Sequence, residues 1–174
     1  GKSKFFYYSP KYLVVTSCEW DHTDIFLSEA DYILNFQNIV KQIPKNGILF
    51  LNSSGKNLDK LAEVANCEVI WVDNTLGIEG LELKMIGNHN YINAIIAIKV
   101  IQNIISELRL EDIVKVLNNF KGVKRRAEIK FQNEFITIID DFAHNPSNFR
   151  SAIDSTSEYF KNKFFDFIGV KCEC

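Results

Sequence analysis

The sequence predicts an α/β protein with a mostly parallel sheet, and three observations carry that expectation. Short apolar runs rich in β-branched and aromatic residues recur along the chain. Stretches with helical spacing separate them, the alternation that βαβ units produce. The 174 residues are 47% hydrophobic and 13% aromatic with three prolines, which allows a sizeable core and excludes a disordered or fibrous chain.

Taken in order, strands are expected at YLVVTS (12–17), GILFLN (47–52), CEVIWV (67–72), EFITIID (134–140) and FFDFIGV (164–170). Each is short and rich in β-branched or aromatic residues, as buried strands are. Helices are expected from Ser28 to Ile43, Asn57 to Ala65, His89 to Leu108, Leu110 to Phe120 and Ser147 to Lys161. Ser28 suits an N-cap because its hydroxyl can accept an unpaired amide of the first turn, and Pro44 and Gly47 close that helix. Leu110, Ile113, Val114, Leu117 and Phe120 form one apolar helical face. KGVKRR then breaks the pattern, and Ala127–Phe131 and Glu134–Asp140 follow with QN between them, as a hairpin or as two strands of a new sheet. A domain boundary is expected near residue 121, giving domains 1–120 and 121–174.

Composition narrows the function. Twenty basic against 22 acidic residues give a formal charge of −2, which argues against a nucleic-acid surface; the one basic cluster is Lys121, Lys124, Arg125 and Arg126. Cysteines 18, 67, 172 and 174 contain no CxxC pair, so reduced thiols in a cytoplasmic protein are expected rather than a zinc site. No run approaches the roughly 18–20 apolar residues of a membrane helix; Asn93, Lys99, Gln102 and Asn103 interrupt the longest, from Ile92 to Ile105.

Three loops gather chemistry. EWDH (19–22) follows the first strand, at the carboxyl end where open α/β sheets bind ligands. Glu19, Asp21 and His22 there could hold a divalent ion, or the carboxylates could cap the next helix. GNHNYINA (87–94) opens a helix with His89, Asn90 and Asn93 in its first turns. Those carboxamides suit the edge of a purine, and equally suit helix capping. In IIDDFAHNPSNF (138–149), Asp140 and Asp141 end a strand and His144 follows in a turn. A carboxylate there could hold a ribose or cap the next element. Arg125 and Arg126 have the forks that match phosphate oxygens. The histidines show no HxH or HExxH spacing, which argues against a metal-dependent hydrolase.

Together these motifs resemble the Mur ligases, the ATP-dependent enzymes that build the peptide of bacterial cell-wall precursors. KFFYYSPKYLVVTSCEWDHTDIF is similar to the central-domain segment with the family's Asp-His signature, and GNHNYINAIIAI to its adenine-side helix. FKGVKRRAEIK resembles the junction into the C-terminal domain, and IIDDFAHNPS the nucleotide loop within it. The opening segment, DHTDIF and DDFAHNP are most similar to the branch that returns a tripeptide to UDP-N-acetylmuramate; the branch that adds L-alanine is the near relative.

The resemblance implies part of a mostly parallel-sheet central ATPase domain followed by the start of an α/β C-terminal domain. It implies ATP and Mg²⁺ as cofactors, and UDP-N-acetylmuramate with an amino acid or peptide as partners, with no nucleic acid or membrane. His22 becomes a ligand of Mg²⁺, Asn90 and Asn93 contacts to adenine, Asp141 a contact to ribose, and Arg126 and His144 groups near the phosphates. The catalytic set is then His22, Arg126 and His144, and the loops at 19–22, 87–93, 125–126 and 140–144 are expected around one cleft.

Thr16 and Ser17 stand where the family usually has asparagine, and Asn145 replaces a second histidine. GKS at 1–3 lacks the preceding strand and four-residue spacer of a phosphate loop, and an extended segment is expected after it rather than a helix. The chain is therefore expected to be a segment of a longer enzyme, without its phosphate loop and UDP-binding domain, and inactive alone.

Overall fold

The computed structural model describes residues 4–23, 25–73, 75, 77–144 and 146–161. The strand expected at 164–170, Cys172, Cys174, Asn145 and the GKS triplet lie outside them. Lys4–Tyr7, expected to continue that triplet as an extended segment, form a short 3₁₀ turn instead. The chain divides into two compact units, one of residues Gly1–Gly80 and Ile92–Ile113, the other of Leu81–Tyr91 and Val114–Cys174.

In the first unit, β1 (Tyr12–Val15), β2 (Ile48–Asn52) and β3 (Glu68–Val72) form a parallel sheet in the order β1-β2-β3. The register aligns Val14 with Phe50 and Phe50 with Ile70. Strand β2 lies in the middle, and Leu49, Phe50 and Leu51 are buried on both of its faces, which explains its unbroken apolar run. Alternation sends Val15, Leu49 and Leu51 to one face, where they pack with Ile33 and Val40 of α1 (Glu29–Val40) and Leu61 of α2 (Asp59–Ala62). Burying each leucine contributes about 1.5–3 kcal/mol relative to exposure. On the edge strands, Val14 and Trp71 stay partly exposed.

Helix α1 starts where its cap predicts. Ser28 Oγ accepts the Asp31 amide at 3.1 Å, and Glu29 and Asp31 place negative charge in the first turn. It ends at Val40, three residues before the expected Ile43. A Cβ on Gly47 would come 2.3 Å from the Lys11 carbonyl and 2.6 Å from Ile43 Cγ2, so the turn into β2 requires glycine. Helix α2 is one turn rather than the expected Asn57–Ala65. Asn57 sits at φ +57, outside helical geometry, and its amide donates to the Cys18 carbonyl at 3.1 Å and Glu29 Oε1 at 2.9 Å. Helix α3 (Asn88–Ile104) begins one residue earlier than His89 and stops short of Leu108, and α4 (Leu110–Asn119) matches its apolar face.

The second unit resolves the open alternative at 127–140. Strands β4 (Glu128–Gln132) and β5 (Thr137–Asp140) pair antiparallel as a hairpin. Strand β5 starts later than Glu134 because residues 133–136 make the turn: Asn133 Oδ1 accepts the amides of Phe135 (2.9 Å) and Ile136 (2.7 Å). Ile86, Ala127, Ile139 and Phe160 form a small core there, and α5 spans Pro146–Tyr159. No helix among the described residues is long and apolar enough to cross a membrane.

Candidate functional site

The EWDH loop leaves β1 in the first unit. Glu19 pairs with Lys56, and the Trp20 indole N–H donates to the Phe26 carbonyl at 3.1 Å. Asp21 Oδ1 accepts the His22 amide at 2.8 Å, and the His22 carbonyl accepts the amides of Ile25 and Phe26 at 2.9 Å each. These bonds hold His22 at φ +53, a left-handed conformation that only local hydrogen bonding makes acceptable for a side chain of this kind, and leave its ring exposed. No group of three acidic, histidine or cysteine side chains capable of holding a metal occurs among the described residues. His22 therefore fits Mg²⁺ only as one ligand beside phosphate oxygens and water, an arrangement that ion accepts. Beneath the loop, burial, with Glu29 adding to it, pushes the Cys18 thiol up to about 11, so Cys18 is an inert core group.

In the second unit, Gly87 has φ +103, and a Cβ there would lie 2.7 Å from His89 Cε1 and 2.9 Å from Ser155 Oγ. The glycine lets the His89 ring fold back against the backbone. His89 Nδ1 is buried without a hydrogen-bond partner among the described residues. Burial lowers the His89 pKa and Arg126 reinforces the shift, while Asp141 opposes it. A neutral ring with its proton on Nε2 leaves only a lone pair in the dry position. Asn90 donates its amide to the Ile86 carbonyl at 2.7 Å, tying down the turn before α3, while Asn93 is exposed and belongs to the residues of the first unit.

A cavity of about 550 Å³ opens beside this turn, lined by Leu83, Met85, Gly87, Asn88, Tyr91, Ser155, Glu158 and Tyr159. The carboxamide on its wall is thus Asn88, beside the predicted Asn90. Tyr91, Ser155 and Tyr159 were not legible as site residues. Ser155 and Tyr159 are one turn apart on α5, but they lie 64 and 68 positions from Tyr91, and no local pattern links the two segments.

The loop after β5 is closely bonded. Asp141 accepts the Ala127 amide on Oδ2 and the Ala143 amide on Oδ1, both at 2.7 Å, bracketing the start of β4. The carboxylate does not cap α5, which starts at Pro146; it closes a turn at Ala143 and holds the residue before β4, and each oxygen retains a lone pair. Arg125, at φ +59, donates its amide to Glu128 Oε2 at 2.9 Å, and its guanidinium lies 4.7 Å from the Phe142 ring centre. Arg126 is exposed and its guanidinium makes no hydrogen bond or ion pair among the described residues. His144 Nδ1 lies 3.1 Å from the Phe142 carbonyl. The structure thus brings His89, Arg126 and Asp141 into one electrostatic neighbourhood, and Arg125, Phe142 and His144 into one stack.

A parallel sheet with helices packed on it, followed by a hairpin-led unit, is the fold of a class of solved ligases. A murein peptide ligase from Psychrobacter arcticus matches with TM-score 0.62 and 23% identity over 93% of this chain and 38% of its own. The UDP-N-acetylmuramate–alanine ligase of Thermotoga maritima matches with TM-score 0.67 and 23% identity over 90% and 40%. No family model matches the chain.

The sequence relationship is more particular: the chain is homologous to the Mur ligases. The UDP-N-acetylmuramate–L-alanine ligase of Clostridium botulinum strain Okra is 28% identical over 189 residues, 94% of this chain. That of Borrelia garinii subsp. bavariensis is 29% identical over 192 residues, 93% of this chain. The chain spans 41% of the length of each of these relatives.

Proposed function

We propose that this chain carries the nucleotide-handling part of an ATP-dependent amide ligase that joins an amino acid or peptide to UDP-N-acetylmuramate in peptidoglycan synthesis or recycling, in the cytoplasm. The observation that carries this reading is the alignment of nearly the whole chain with ligases of that name. The proposed domains are 1–120 and 121–174, with the boundary at the connector that presents Arg125 and Arg126.

In the proposed reaction, the lactyl carboxylate of the sugar nucleotide attacks the γ-phosphorus of ATP. ADP leaves, an acyl phosphate forms, and an amine then displaces phosphate to give the amide. Crowded negative charge is the obstacle, so positioned cations supply most of the acceleration. Arg126, exposed and unpaired, is proposed to face the phosphates and His144 to stand beside them. Asp141 is proposed for the ribose, and Asn90 and Asn93, with the cavity beside Asn88 and Tyr91, for the adenine. The size and mixed lining of that cavity suit a small planar ligand. His22 would hold Mg²⁺, which when bound supplies charge neutralisation at the phosphates.

For the amine, the sequence motifs favour a peptide. The names of the curated relatives favour L-alanine as the second reading.

Binding of MgATP by the purified chain tests the proposal. Saturable binding that weakens about tenfold in Arg126→Ala, the loss of one charge-assisted contact, is the expected result. A folded chain that shows no saturable MgATP binding, or an R126A variant of unchanged affinity, sinks it.

A further inference from the structure

We infer that Phe142 is a positioning residue: it holds His144 and Arg125 together so that the loop after β5 meets a phosphate-type anion with an imidazole Nε2 and a guanidinium at once. The identity of that anion as a nucleotide phosphate rests on the function proposed above; the positioning itself rests on geometry alone.

Phe142 uses its peptide and its ring for the same two neighbours. Its N–H donates to the Arg125 carbonyl at 2.8 Å, and its carbonyl lies 3.1 Å from His144 Nδ1. A carbonyl can only accept, so Nδ1 must carry the proton. In the neutral ring that leaves Nε2 as the bare nitrogen; in the protonated ring Nε2 becomes a donor.

The Phe142 ring then has a cation on it, with the Arg125 guanidinium carbon 4.7 Å from its centre, and the His144 ring 5.2 Å away at 50°. A second tether, Arg125 Nε to Asp140 Oδ1 at 4.0 Å, limits where the guanidinium can point. The Arg125 backbone is held at φ +59 by Glu128, which accepts its amide.

Core packing does not explain this arrangement. Phe142 is 38% exposed and lies outside the small core of Ile86, Ala127, Ile139 and Phe160. Among the described residues, its ring contacts are those two polar side chains. An arginine, and an imidazole whose Nε2 donates when the ring carries both protons, are the groups that an oxyanion recruits in charge-assisted hydrogen bonds.

Long-range proton–nitrogen NMR of the 174-residue chain reads each histidine tautomer directly. Where its ring is neutral, His144 is expected as the Nδ1–H tautomer. Phe142→Leu should shift it toward Nε2–H, and Phe142→Tyr should restore it. With inorganic pyrophosphate as probe, the His144 Nε2 and Arg125 Nε signals should move together in the wild type, and F142L should weaken that response about two- to fivefold, the range of an exposed cation–π contact. Arg125→Gln, which leaves the ring in place, covers the case in which F142L fails to fold: it should keep the His144 tautomer and lose the coupled response.

A wild-type His144 in the Nε2–H form, or an F142L tautomer and pyrophosphate response both unchanged, overturns the positioning. No pyrophosphate response in the wild type overturns the anion assignment. ADP binding no tighter than pyrophosphate, with the tautomer shift intact, supports the positioning and overturns the nucleotide reading instead.

Discussion

Gly87 and His89 carry the most local information in the second unit. A side chain at Gly87 would be strained by its φ of +103 and would press on the His89 ring and Ser155 Oγ. Gly87→Ala is therefore expected to cost about 1–3 kcal/mol, measured as a fall in urea midpoint. His89 makes a second prediction. Its folded pKa lies below its ordinary value of 6.5, chiefly through burial, so between the two values the unfolded chain binds the extra proton. Stability should thus be complete above about pH 6.5 and decline as pH falls below it, and His89→Gln should remove that part of the pH dependence. Denaturant titrations of both proteins from pH 7.5 to 5 decide this; a variant with the same slope as the wild type contradicts it. The helix opening at 87–94 was legible in sequence. The dry Nδ1 was not, because it depends on the fold around it.

For the elements, local chemistry predicted existence and type better than extent. Ser28 is the cleanest case, since one hydroxyl and one amide define the start of α1. Ser28→Ala should destabilise the chain by about 1 kcal/mol, and Ser28→Asp should restore most of the loss. A midpoint in S28A equal to that of the wild type would show that tertiary packing alone sets this helix end. Extents failed where a side chain preferred a tertiary partner. Asn57 reads as a helix residue, yet its side-chain amide bonds to Cys18 and Glu29, and α2 starts only at Asp59. The pair at QN left two topologies open, and the amides gathered by Asn133 decided for the hairpin.

For the whole molecule, the expectation concerns turnover. No segment of the 174 residues reads as a glycine-rich loop able to cradle a γ-phosphate, and phosphoryl transfer depends on such a cradle. The purified polypeptide should release no phosphate from MgATP above the uncatalysed rate, with or without UDP-N-acetylmuramate. Sustained release abolished by Arg126→Ala would refute this.

The alternation of strand and helix, the parallel sheet and the order of the three motifs were legible because each depends on residues within a few positions of one another. Side-chain roles were not. Asp141 reads as a helix cap or a ribose ligand, and only the fold shows that its oxygens hold Ala127 and Ala143, neither of them in a helix. Asn90 reads as a purine contact or a cap until its amide is seen to bond to Ile86 while Asn88 lines the cavity. Periodicity places a backbone; a polar atom's partner depends on which distant residues the folded chain delivers beside it, and that is a property of packing.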